Sequence, residues 1–99
     1  MHAVPILVPL LKDPDVNHIV PWSLEEIGDH AAIPPLIETL NDKDPDMRVL
    51  AIYALETLGA KEALQQIRDL LNDNQRTHFD GLRTVAEVAR EALDKMGEH

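Results

Sequence analysis

Few residues in this chain of 99 are of a type that does chemistry, and their placement argues against catalysis. Serine occurs once, at Ser23, and His2, His18, His30, His78 and His99 scatter over termini, turns and one helix. No nucleophile therefore has a base placed to activate it. Cysteine is absent, which excludes disulfides and thiolate chemistry and suits a reducing compartment, so a cytoplasmic location is expected. The patterned residue is aspartate: Asp13, Asp15, Asp42, Asp44, Asp46 and Asp73 gather in short segments between apolar runs. A calcium loop needs oxygen ligands converging with a suitably placed glycine, and the DKDPD of residues 42–46 has no such register. Carboxylates just ahead of apolar runs instead cap helix starts and suit the positive end of the helix dipole. The sequence thus predicts no catalytic residue, no metal and no cofactor, in a protein that is not an enzyme.

What these aspartates punctuate is a repeat. The stretch Pro45 to Gly59, PDMRVLAIYALETLG, places Met47, Leu50, Ala51, Ala54, Leu55 and Leu58 at the spacing of a helix with one buried stripe. Asp46 stands as its expected N-cap, and Gly59 where a helix ends in the left-handed conformation. The same stretch recurs 31 residues earlier as PDVNHIVPWSLEEIG, residues 14–28, with Val16, Ile19, Leu24 and Ile27 in the stripe. There Ser23 also takes a stripe position, as a small buried residue. A third copy, VAEVAREALDKMG, lies 38 residues later at 85–97. A shorter helical pattern precedes each, over residues 3–13, 32–42 and 63–73. The chain therefore predicts an αα-hairpin repeated three times, six helices in all, in an all-α solenoid. It forms one domain, 1–99, of units at about 3–28, 32–59 and 63–97. Pro5 and Pro34 fall in first helical turns, where the missing N–H costs nothing. Pro9 and Pro21 fall inside helices, where proline costs about 3 kcal/mol, so a kink or late helix start is expected near residues 18–21.

The carriers AIPPLIETLNDKDPDMRVLAIYALETLG and AVPILVPLLKDPDVNHIVPWSLEEIG make the chain resemble the HEAT-like repeats of phycobilisome lyases. The family's A-x-P-x-L-x-x-L opening is met by Ala32, Pro34 and Leu36, with its closing leucine one residue on at Leu40, its D-P-D turn by Asp44, Pro45 and Asp46, and its helix-two arginine by Arg48. In the outer units Asn17 and Ala86 take the place of that arginine. The resemblance implies a solenoid used mainly as a binding surface, with an ion pair from Arg48 to a turn aspartate of its own or a neighbouring unit. It also implies, as an alternative, an accessory or chromophore-handling protein related to phycobilin lyases. HEAT-like repeats similar to deoxyhypusine hydroxylase hold iron through His-Glu pairs near the start of helix two. Here His18 is followed by Ile19, and the matching pairs Val49-Leu50 and Glu87-Val88 have no histidine, so that site is not expected.

Charge narrows the partners. Eighteen acidic against nine basic residues leave a formal −9, which argues against a phosphate backbone and hence against nucleic acid. The longest apolar run, residues 3–11, is too short to span a membrane, and no basic segment with a cleavage site precedes it. Its first helix is apolar nearly all round, which asks for cover from a second copy or another protein, unless that helix is frayed and partly exposed.

Where the copies differ, function is expected. The positions outside the stripe are Glu87, Arg90 and Glu91 in unit three, an ordinary charged surface. They are Val49, Ile52 and Tyr53 in unit two, and His18, Pro21 and Trp22 in unit one. Trp22, Tyr53, Ile52, Val49 and His18 are therefore expected on one second-helix face as a protein-interaction site, since exposed apolar patches with Trp and Tyr mark interfaces. The partner is another protein or a second copy; cover by another part of the chain, or a small-ligand groove, are the alternatives. The third unit also carries a longer connection, NQRTHFDGLRT, whose Phe79 is either a second contact element or, with Leu82, a lid on the last hairpin.

Overall fold

The computed structural model describes residues 7–13, 16–77 and 83–97. Five α-helices occur among them: α1 Val20–Ile27, α2 Ile33–Thr39, α3 Pro45–Thr57, α4 Leu64–Asp69 and α5 Val85–Lys95. Short 3-10 turns at His30–Ala32 and Lys61–Ala63 lead into α2 and α4, and another at Leu70–Asn72 extends α4. Helices α1, α3 and α5 lie side by side with α3 in the middle. Helix α2 packs across α3, α4 across α5, and a 3-10 segment, Val8–Lys12, across α1. This is an all-α, solenoid-like fold.

Helix α3 starts because of its turn. The Asp44 carboxylate accepts the Asp46 N–H at 2.9 Å, making Asp44 the N-cap. Pro45 takes the first helical position, where its fixed φ fits and its missing N–H is not needed. The expectation that Asp46 caps is thereby corrected: it lies one residue inside the helix, because proline claims the position ahead of it. At the other end Gly59 adopts φ 65°, and the Ala60 N–H reaches back to the Leu55 carbonyl at 3.0 Å. Such a C-terminal closure requires a left-handed residue.

Helix α1 shows the late start that Pro21 predicts. Residues 16–19 form turns tied to the Asp13 and Val16 carbonyls, and the helix proper begins at Val20 with proline in its first turn. The delay changes which side chains face inward. Val20, Pro21 and Leu24 are buried, whereas Ile19, expected in the stripe, is 61% exposed. Ser23 is half-buried instead of fully so, and its hydroxyl donates to the Ile19 carbonyl at 3.2 Å. Proline acts in the first hairpin as well. The described part of the expected first helix, Val8–Lys12, is a 3-10 segment with proline at its start.

The core centres on α3. Met47, Val49, Ala51, Ile52 and Leu55 are each 0% exposed, joined by Leu24, Leu36 and Ile67 from neighbouring helices. A helix with α1 on one side, α5 on the other and α2 across it buries several faces, so Val49 and Ile52 are core residues. The expectation that they face solvent is corrected on that ground. A Cα radius of gyration of 12.4 Å is what a globular domain of this length has, about 13 Å; so few units do not open into a long groove.

One charged residue is built into this core. Arg48 is 8% exposed. Its Nη1 donates to the Asp42 and Lys43 carbonyls at 2.6 and 3.2 Å, and its Nε lies 2.9 Å from Asp73 Oδ2. Its Nη2 donates to Gln75 Oε1. The guanidinium thus ties the turn before α3 to the connection before α5. That connection is anchored in turn: the Val85 N–H meets the Gln75 carbonyl at 2.9 Å and the Ala86 N–H the Asp73 carbonyl at 2.8 Å. Phe79 and Leu82 lie outside the described residues.

Candidate functional site

Two large apolar side chains are prominently exposed among the described residues, Ile19 at 61% and Trp22 at 55%. The late start of α1 puts them one helical turn apart at its N-terminal end. Trp22 stands beside α3. With Pro21, Glu25, Leu50 and Tyr53 it lines one dimple of about 10 Å³. That volume is at the lower limit of what a single water needs, about 10–15 Å³, so the dimple has no room for a small-molecule ligand. Tyr53 is half-buried against the core, and Leu50 and Pro21 form the floor.

Of the residues expected on this face, Trp22 and Tyr53 come together and His18 stays exposed nearby in sequence. Val49 and Ile52 do not belong to it. Ile19 and Leu50, both read as stripe residues, contribute instead. Ile19 could have been found by starting the helical register at Pro21 and not at the preceding Pro-Asp.

His18 makes a long-range contact. Its Nε2 lies 3.0 Å from Asp44 Oδ2, joining the turns before α1 to the N-cap of α3. The buried carboxylate of Asp46 is adjacent, and ligand atoms of His18, Asp44 and Asp46 all lie within 4.8 Å of one another. These donor types could hold a divalent cation. Asp44 already spends its other oxygen on the helix cap. The sequence separates His18 from Asp44 by 26 residues, so only the fold reveals the grouping.

Beyond Tyr53 the second-helix layer turns ionic. Lys95 Nζ lies 3.5 Å from Glu56 Oε1 and 3.3 Å from Glu91 Oε1, and Arg83 Nη2 is 2.7 Å from Glu91 Oε2. The start of α5 is held by a reciprocal cap in which Thr84 Oγ1 accepts the Glu87 N–H, while Glu87 accepts the Thr84 N–H, both at 3.1 Å. The T-x-x-E spelling of this capping box was readable in the sequence. The Thr84 backbone hydrogen bond holds the Glu87 pKa below the ordinary carboxylate value. Hydrogen bonds from Arg83 and Lys95 do the same for Glu91, and attraction from Glu56 and then Glu91 raises Lys95.

The sign of the pH dependence follows. Contributions from Glu87 and Glu91 are complete above the ordinary glutamate value and are lost as pH falls through the depressed ones. That of Lys95 is complete below the ordinary lysine value and is lost as pH rises through the raised one. The urea midpoint should therefore decline on acidification, and Glu91→Gln should flatten part of that decline. A Glu91→Gln curve parallel to wild type at every pH would show that the Glu91 ion pairs add nothing to the pH dependence of stability.

Among the described residues no serine accompanies the His18–Asp44 pair. The one serine bonds a backbone carbonyl, and His30, the other described histidine, sits on the turn leading into α2. No helix among the described residues is long and apolar enough to cross a membrane. Residues 4–94 match the family model for HEAT repeats, which specifies the repeat class and no subtype within it. Comparison with curated proteins gives no match.

Proposed function

The chain belongs to the HEAT repeat family, and from that premise we propose that it is a non-catalytic protein-interaction module that docks a partner on Trp22 and Tyr53. HEAT repeats commonly serve as protein–protein interaction scaffolds. In this reading the chain acts in the cytoplasm as one domain of three units, at about 3–28, 32–59 and 63–97.

The observation that carries the proposal is Trp22, a tryptophan 55% exposed beside a half-buried tyrosine over an apolar floor. Left in water, that surface forgoes about 25 cal/mol for each apolar Å² that a partner would cover. Tryptophan and tyrosine are also the residues that most often dominate interface energies.

Trp22→Glu should keep wild-type helix content by circular dichroism and a monomeric mass by light scattering. It should lose a partner that wild type binds, by about thirtyfold or more in Kd, the scale of an interface anchor at about 2 kcal/mol. A wild type of twice 11.1 kDa that the charge converts to a folded monomer would assign the face to self-association instead. An unfolded Trp22→Glu would make Trp22 a core residue and end the proposal.

A further inference from the structure

Resting on that reading of the face, we propose that its occupant is a cationic amphipathic segment of another protein, with an apolar side chain over Trp22 and Tyr53 and a Lys or Arg beside Glu25. Glu25 lines the same dimple as Trp22, one helical turn along, so an occupant that covers the tryptophan also meets this acidic side chain. Burying an unpaired carboxylate strongly disfavours association. Among the described residues, Glu25 forms no ion pair, and two cations of the second-helix layer are committed elsewhere. Lys95 is shared by Glu56 and Glu91, and Arg83 is bonded to Glu91. The compensating charge therefore has to arrive with the partner.

The alternatives fit less well. A second copy would bring its own Glu25 to the seam and a further formal −9. An acidic segment would set like charges together, which disfavours association. A neutral apolar segment would leave Glu25 buried and unpaired. The basic segment alone satisfies the tryptophan and the carboxylate together, and the long-range attraction of a −9 protein speeds its approach.

The test uses the full chain, whose single tryptophan is its own reporter. The probes are two 18-residue amidated peptides of helical period, one of leucine and lysine, the other with glutamate replacing every lysine. The lysine peptide should shift Trp22 emission to the blue and bind more weakly as salt rises. Glu25→Lys should weaken it by at least about tenfold, as close interfacial charge pairs do. Glu62→Lys makes the same change in net charge from an exposed position on the turn into α4, and should weaken binding less than about threefold. If Glu25→Lys fails to fold, Glu25→Gln should still show a loss larger than Glu62→Gln. Equal losses at positions 25 and 62 would mean that only net charge is felt, and would overturn the proposal. Equal blue shifts with both peptides would overturn the cationic partner while leaving the face intact. No shift with either peptide, or a wild type that light scattering finds dimeric, would overturn this inference together with the heterologous docking face.

Discussion

Replacing Arg48 with methionine lowers the free energy of unfolding by about 3 kcal/mol, the scale on which removing one partner of a buried ion pair destabilises a protein. The side chain is 10% exposed and its partner Asp73 17%, so solvent screens the pair poorly. Methionine keeps most of the volume and removes the charge, which separates electrostatics from packing. What it leaves behind sets the cost. The Asp73 carboxylate loses the Nε contact at 2.9 Å, Gln75 Oε1 loses its donor, and the Asp42 and Lys43 carbonyls lose theirs. For a domain of this size the loss corresponds to a fall of about 15 °C in Tm. Asp73→Asn should give a smaller loss. The double variant should cost less than the two single changes summed, since both act on one network. A loss below about 1 kcal/mol for Arg48→Met would put the residue in the class of surface ion pairs.

Ile52→Ala costs about 2–4 kcal/mol in urea unfolding, and Trp22→Ala, at a position with no core role, changes stability by about 0.5 kcal/mol or less. The two positions were expected on one face. Their exposures, 0% against 55%, place Ile52 under the helix layer and Trp22 on it. Deleting three carbons from a fully packed isoleucine forfeits their transfer energy and leaves a cavity that the surrounding helices fill only in part. Truncating the tryptophan removes surface that is largely hydrated already. Binding should follow the opposite order once each variant is shown folded: Trp22→Ala weakens partner capture, and Ile52→Val, the milder core change, leaves it at the wild-type level. Similar stability losses at both positions would make Trp22 a structural residue.

Much of this molecule was written in its sequence, because much of it is local. The apolar period of residues 45–59, glycines at 28 and 59 in left-handed backbone, and a proline that delays α1 all act within one or two helical turns. So does the aspartate at a helix start, although the cap is Asp44 and not Asp46, since proline takes the position between them. The pairing of Arg48 with a turn aspartate was expected from the repeat and is met by Asp73.

What the tertiary structure alone decided is how many neighbours each helix has. A periodic stripe records burial on one face, as if every helix were half immersed. Helix α3 is packed by α1, α2 and α5 at once, so Val49 and Ile52, outside the stripe, are as dry as the residues within it. Helix α1, packed against α3 and the 3-10 segment at Val8–Lys12, keeps an open side. Ile19, inside the expected stripe, is left in water together with Trp22. The His18–Asp44 contact has the same origin, since nothing local brings together residues 26 apart in the chain. Periodicity is a property of one helix and burial a property of its surroundings, and the candidate face lies where the two diverge.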